Sequence, residues 1–533
     1  MRSTRLSTLA RFAALAALVA VPPIAPFQLL AQPTPAHTFF RVQAAQSIPA
    51  PISGRLLIFL KQGSGDKEVS VSEFNPKATW VAAREIHDLA PGASIEFDAD
   101  EIAFPKPFSD LPAGTYEAQA VLDVDHTYNY GSRVPQDWVS PVVALTSFTP
   151  GAGPEPVFTL DHHPDEDPRR TGMMAAAKAQ LKPGTAQEED FQSPLLTRFW
   201  GRPTYIKAWV ILPPGYDPNS KTTYPTAYWT HGFGGGIDGA LLSGISLRSR
   251  MADGKMPPMI WVMLDESLPE GTHEFADSAN NGPWGAALTT EFIPFLESKY
   301  RMDSQPTGRL LNGHSSGGWA TLQLQINYPN IFGGTWSTSP DPSDFHDFTG
   351  PDLYAPNANM FHRADGSPIP IFRDHGKVIA TMEEFTHIED VLGPYGGQIS
   401  SFDWVFSPKS PSGAPTQMFD HQTGAVHPEV VAYWHDHYDL ANTVETTWAQ
   451  RGASLKGRIH LFVGTADTFY LDGAAHKFEA RLKALDADPH FTYIPDRTHF
   501  DLYKVDKDYQ GLFDQIAAEM YAVARPNSDW KKK

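Results

Sequence analysis

Residues 310–329 read LLNGHSSGGWATLQLQINYP, and their reading decides the fold. The run GRLL leads into Gly313-His314-Ser315-Ser316-Gly317, and Trp319, Leu322 and Ile326 then recur at helical spacing until Pro329 ends the pattern. A strand that hands over to a helix through G-x-S-x-G puts the central serine at the tip of a tight turn, where glycines relieve crowding. Ser315 is therefore a candidate nucleophile. The helix amino end behind it aims N–H groups at developing negative charge, which makes the N–H of Ser316 a candidate oxyanion donor.

The sequence around this elbow fits one kind of sheet. From Tyr205 onward the apolar runs YIKAWVILPPGY, TAYWTHG, MIWVMLDE, GRLLNGH, GGTWSTS, RIHLFVGT and HFTYIPD alternate with helical patterns. Examples are Leu288, Phe292, Phe295 and Leu296, and Phe478, Leu482 and Leu485. Strands this apolar, separated by helices, predict an α/β fold with a mostly parallel sheet covered on both faces.

A serine hydroxyl needs a base and an acid to orient that base. His499, in HFTYIPDRTHFDLY, follows the last predicted strand, whereas His490 precedes it. Asp467, in RIHLFVGTADTFYLDG, lies just past the strand before, with Asp472 as the alternative. The chain order Ser315, Asp467, His499 is that of the α/β-hydrolases. The second oxyanion donor falls to the glycine run of YWTHGFGGGIDG, at the backbone of Phe233 or Gly234. No Lys-Ser/Thr follows that run, so it is not a phosphate cradle.

The rest of the 533-residue chain reads as follows. Residues 1–31, with Arg2, Arg5 and Arg11 before FAALAALVAV, predict an export signal and a periplasmic or secreted protein. The apolar run is too short for a comfortable span, and no stable membrane span is expected in the mature chain. Period-two patterns such as YEAQAVLDVD and GRLLIFL predict a small Ig-like β-sandwich over residues 37–147. YEAQAVLDVD sets Tyr116, Ala118, Ala120, Leu122 and Val124 on one face and Glu117, Gln119, Asp123 and Asp125 on the other. The Pro-rich, charge-dense residues 148–198 read as a linker with one helical piece at GMMAAAKAQL, and residues 199–525 as the catalytic domain.

Zero cysteines exclude disulfides and thiolate metal sites. A formal charge of −19 argues against nucleic acid as a partner. His435 and His437 in WHDHYD lack an evident third ligand, so neither metal nor cofactor is expected.

HGFGGG, DSANNGPWGAALTTEFIPFLESKYR, GHSSGGWATLQLQINYPNIFGG, VGTADTFYL and RTHFDLY resemble the esterase D type of α/β-hydrolase, over roughly residues 199–524. That group includes enterochelin esterases, feruloyl esterases, S-formylglutathione hydrolase and mycolyltransferases. The resemblance implies a serine esterase acting on a small-molecule or glycan-linked ester, with Trp284 and His314 as substrate contacts. It leaves open acyl transfer or peptide hydrolysis at the same site, or a catalytically silent carbohydrate- or partner-binding protein. The chain departs from a compact member by an insertion at about 341–446, rich in Pro, Gly, Asp and aromatic residues. This is a candidate lid or cleft wall, in which Trp404, Phe406, Tyr433 and Trp434 either face a substrate or pack a core of their own.

Overall fold

Six of the apolar runs become neighbouring parallel strands of one eight-stranded sheet. The computed structural model describes residues 37–530 apart from 73–74, 166–167, 180 and 182–183, so the expected export signal lies outside the described residues. The order across the sheet is Ala186–Gln192, Tyr205–Ile211, Ile260–Leu264, Thr226–Thr230, Arg309–His314, Gly334–Thr338, Ile459–Gly464, His490–Ile494. Tyr205–Ile211 runs antiparallel to both its neighbours. Thr226–Thr230, Ile260–Leu264 and Gly334–Thr338 are buried at every residue, because both faces of the sheet are covered. Side chains alternate between the two layers: Trp261 and Met263 join helix residues Leu241 and Met520, while Val262 and Leu264 join Leu288 and Phe292. This is the α/β-hydrolase architecture.

The helix after the elbow, Ser316–Asn327, is buried from Ser316 to Ile326. Its patterned face, Trp319, Leu322 and Ile326, packs into the core built by the insertion, and Leu324 packs into the layer on the sheet. The insertion consists of a hairpin, Pro370–Asp374 with Lys377–Thr381, and the helices Met382–Leu392, Gln398–Phe406 and Pro428–His437. Phe406 and Trp434 are each 1% exposed inside that core, so they hold the insertion together.

The amino-terminal region forms two facing sheets. Ser94–Asp98, Phe39–Ala44 and Val157–Leu160 make the smaller, and Thr79–Leu89, Ile52–Gln62 and Gly114–Asp123 are the centre of the larger. Phe40, Val42 and Phe97 meet Leu56, Ile58, Leu60 and Ala118 between them. The polar face of YEAQAVLDVD is also buried from Glu117 to Asp123, and only Asp125 is exposed. Gln119 Oε1 accepts from Val69 N at 3.0 Å and Asp123 Oδ2 from Tyr128 N at 2.9 Å, so these polar groups are satisfied internally.

The outer face of the larger sheet explains why GRLLIFL is apolar at nearly every position. Leu57, Phe59 and Val81 on that face pack against Ile388, Val391 and Leu392 of the insertion helix Met382–Leu392. Arg55, 8% exposed, donates from Nη2 to Asp390 O at 2.9 Å and Val391 O at 3.0 Å, satisfying carbonyls at the helix carboxyl end.

Residues 148–198 carry more order than a linker. Val157–Leu160 pairs with Phe39–Ala44, and Ala186–Gln192 pairs along the whole of Tyr205–Ile211 before the helix Pro194–Trp200. Glu188, Glu189 and Asp190 give that edge strand the composition of a solvated segment. Its order comes from main-chain pairing and from the ion pair of the nearly buried Glu189 with Lys299 Nζ at 2.6 Å. Of the expected helical piece GMMAAAKAQL, Gly172 to Ala179 belong to the helix Pro168–Ala179.

Candidate active site

The elbow is built by close contact. Ser315 has φ 60° and ψ −125°, a strained conformation for a residue with a side chain, and its N–H donates to Thr338 O at 3.0 Å. The two framing glycines are forced: a Cβ on Gly313 would lie 2.1 Å from Gly317 O, and one on Gly317 would lie 2.1 Å from His231 O. The turn that presents Ser315 thus closes against its own helix and the neighbouring strand end.

Asp467 and His499 come together 32 residues apart in sequence, with Nδ1 of His499 3.0 Å from Oδ2 of Asp467. The acid is fully buried and the imidazole 4% exposed. Oδ1 of Asp467 accepts from Phe469 N at 3.0 Å, which leaves Oδ2 for the ring. Burial alone would raise this carboxyl, but the charge and hydrogen bond of His499 hold it below its ordinary value. The Phe469 ring stands edge-on to the imidazole at 4.7 Å and fixes its plane. Among the described residues no hydrogen bond joins Ser315 to His499; both line one cavity of about 500 Å³.

Phe233, Gly234 and His314 line the same cavity. The glycine loop is seated on His231, whose Nδ1 contacts Gly232 O at 2.8 Å and whose Nε2 lies 3.0 Å from Asp265 Oδ1. Burial would lower the His231 pKa, but Asp265 and Glu266 outweigh it and raise it. The His314 ring is 4.4 Å from that of His499, and burial together with the charge of His499 pushes its pKa down to about 3. His314 is therefore a neutral wall of the site. Ser316 is fully buried, and its Oγ donates to Asp341 Oδ2 at 2.6 Å.

Trp284 is placed elsewhere. It is 3% exposed, stacks on His273 at 3.6 Å and donates from Nε1 to Asn281 O at 2.8 Å, away from the cavity that Ser315 lines. The expected substrate contact is corrected to a core residue, because the loop around NNGPW folds inward to bury its ring. Asp472, the alternative acid, pairs with Arg373 Nη2 at 2.8 Å instead of with His499. His490 stacks on His460 at 4.6 Å in the edge strand. His437 contacts Tyr433 O on its own helix, so it does not converge with His435 on a common ligand position.

Asp341 was missed by the sequence reading. Burial pushes its carboxyl up to about 6, and it lines the cavity just past the end of Gly334–Thr338. An acid just past a parallel-strand carboxyl end, in SPDP, was the signal that could have found it. Glu266 and Glu274 lie fully buried close enough to interact with it electrostatically; burial pushes the first up to about 8 and raises the second well above its ordinary value. Three buried carboxyls with raised pKa values therefore lie close together beside the elbow, and Asp341 is the one that reaches the cavity.

The chain is similar to several known esterases. Esterase Rv1288 of Mycobacterium tuberculosis is 30% identical over 141 residues, covering 26% of this chain and 30% of that relative, so the chain spans under a third of the curated relative's length. A ferulic acid esterase structure aligns at 15% identity and TM-score 0.39, over 64% of this chain and 98% of its own. S-formylglutathione hydrolase of Agrobacterium tumefaciens aligns at 13% and 0.37, over 65% and 97%. The family model described as "Putative esterase" matches residues 203–484, more than half of the chain and the segment that carries Ser315 and Asp467, and the chain belongs to that family.

Proposed function

We propose that the protein is an exported serine hydrolase that cleaves carboxylic esters. The observation that carries this reading is that His499, held by the buried Asp467 behind it, lines the same cavity as a serine held at positive φ. Ser315 Oγ attacks the ester carbonyl and passes its proton to His499. Asp467 orients the imidazole and offsets its charge. The N–H of Ser316, with that of Phe233 or Gly234, holds the oxyanion; His499 returns the proton to the departing alcohol oxygen as the C–O bond breaks, leaving an acyl-enzyme and a neutral imidazole. Water then enters on the same base, and the acid leaves. The missing Ser315–His499 hydrogen bond fits a free enzyme, since such contacts tighten when substrate binds.

Intact-mass detection of a fluorophosphonate adduct tests this. One adduct on the parent, none on Ser315→Ala and slower labelling of Asp467→Ala are expected. An unlabelled parent would sink the proposal and move the reading to a binding protein. Product partitioning between water and an added alcohol decides between hydrolysis and acyl transfer. Export is tested by the amino-terminal residue of the protein recovered from the periplasm or medium, with cleavage after Ala31 expected.

A further inference from the structure

The cavity in front of Ser315 is shared by three parts of the chain. The catalytic sheet contributes one side, and Phe372, Phe385, Ile388 and Phe402 of the insertion line another. The third side belongs to the amino-terminal sheets, through Ser70, Tyr128, Asn129 and Ser132. That third side is fixed in place. Asn129 Nδ2 donates to Glu389 O at 3.0 Å, Lys77 Nζ pairs with Glu384 at 2.6 Å, and Arg55 caps the same helix from the sheet. The apolar seam of Leu57, Phe59, Ile388 and Leu392 closes the joint. The insertion helix is therefore held between the two domains, and it presents Phe385 and Ile388 to the cavity at a set distance from Ser315.

The wall is also selective in charge. Among the described lining residues the ionisable groups are the carboxyls of Glu68, Asp341 and Glu389, the imidazoles of His314 and His499 and the phenol of Tyr128, with no lysine or arginine. A substrate that brought a carboxylate or phosphate into this space would lose water and meet no fixed cation. The aromatic and aliphatic lining instead rewards burial of uncharged apolar surface.

We propose that the amino-terminal sheet domain is a working wall of the cleft, and that with the insertion helix it selects uncharged esters carrying a bulky apolar group. This rests on the hydrolase reading above and deepens it. The bulky group belongs to the acyl or the alcohol side; ethyl naphthoate and naphthyl acetate, each compared with ethyl acetate, separate the two.

The test uses the full chain and two substitutions at exposed rim positions of the amino-terminal domain, Ser70→Trp and Ser132→Trp. The ratio of kcat/KM for the preferred naphthyl ester to that for ethyl acetate is expected to fall about tenfold, mainly through KM. A carboxylated naphthyl ester should be hydrolysed by the parent at least about tenfold more slowly than its neutral counterpart, and Ser132→Lys should narrow that gap. An unchanged ratio in both tryptophan variants, or equal rates on the neutral and carboxylated esters, overturns the proposal. Should one tryptophan variant unfold, the other carries the test. A fluorophosphonate-labelled parent with unchanged ratios rejects the wall alone, whereas an unlabelled parent rejects the hydrolase reading beneath it.

Discussion

The elbow and the far wall of the same cavity are made in opposite ways. The elbow comes from five consecutive residues, Gly313 to Gly317, whose geometry follows from two glycines and a serine forced to positive φ. The wall comes from segments such as Arg55 and Val391, which touch across 336 positions of sequence. The turn that presents the nucleophile is local in sequence, while the shape offered to a substrate is long-range. A change at the elbow should therefore alter the chemical step, and a change at the domain joint should alter binding and stability.

The sharpest way to break this contrast is Ser315→Ala, expected to lower kcat by about 10⁶-fold with an unchanged unfolding temperature; residual activity within tenfold of the parent would remove Ser315 from the chemistry. Asp467→Ala should lower kcat by about 10⁴-fold with little change in KM, because the imidazole loses its orienting acid. Equal loss in kcat and rise in KM would point to a collapsed site.

On the wall side the effects are smaller. Arg55→Leu removes the buried guanidinium from the helix carbonyls and should cost about 2–3 kcal/mol, read by urea unfolding. Its KM for a bulky ester should rise more than its kcat falls. If stability is untouched, the joint does not hold the insertion helix.

The buried carboxyls give a pH effect of known sign. Glu266 and Asp341 are raised to about 8 and about 6, so the folded state binds more protons than the unfolded one. Their contribution is fully present below about pH 4, the unfolded carboxyl range, and is lost as pH rises towards 8. Glu266→Gln should flatten the fall in unfolding temperature across that interval. A parent whose stability is level from pH 5 to pH 8 would contradict it. Smallest of all, Trp284→Phe should leave ester kcat/KM within about twofold and cost about 1 kcal/mol from the lost indole hydrogen bond. A larger kinetic change would return Trp284 to the substrate cleft.

The sequence determined the α/β sheet and the elbow, because strand and helix periodicity and steric demand at glycine act between near neighbours. It also pointed to Asp467 and His499 individually, since a residue just past a parallel strand's carboxyl end is delivered to one edge of the sheet. It did not reveal that YEAQAVLDVD buries its polar face, that residues 186–192 form the edge strand, or that the ring of Trp284 turns inward. Each depends on which distant backbone supplies a hydrogen bond or an apolar surface. Only the tertiary structure decided that Asp341, Glu266 and Glu274 interact as a buried group beside the site, and that the amino-terminal sheets close the cleft. The physical reason is one of range: local sterics can be read from spacing, whereas desolvation and packing depend on neighbours that the chain meets only after it folds.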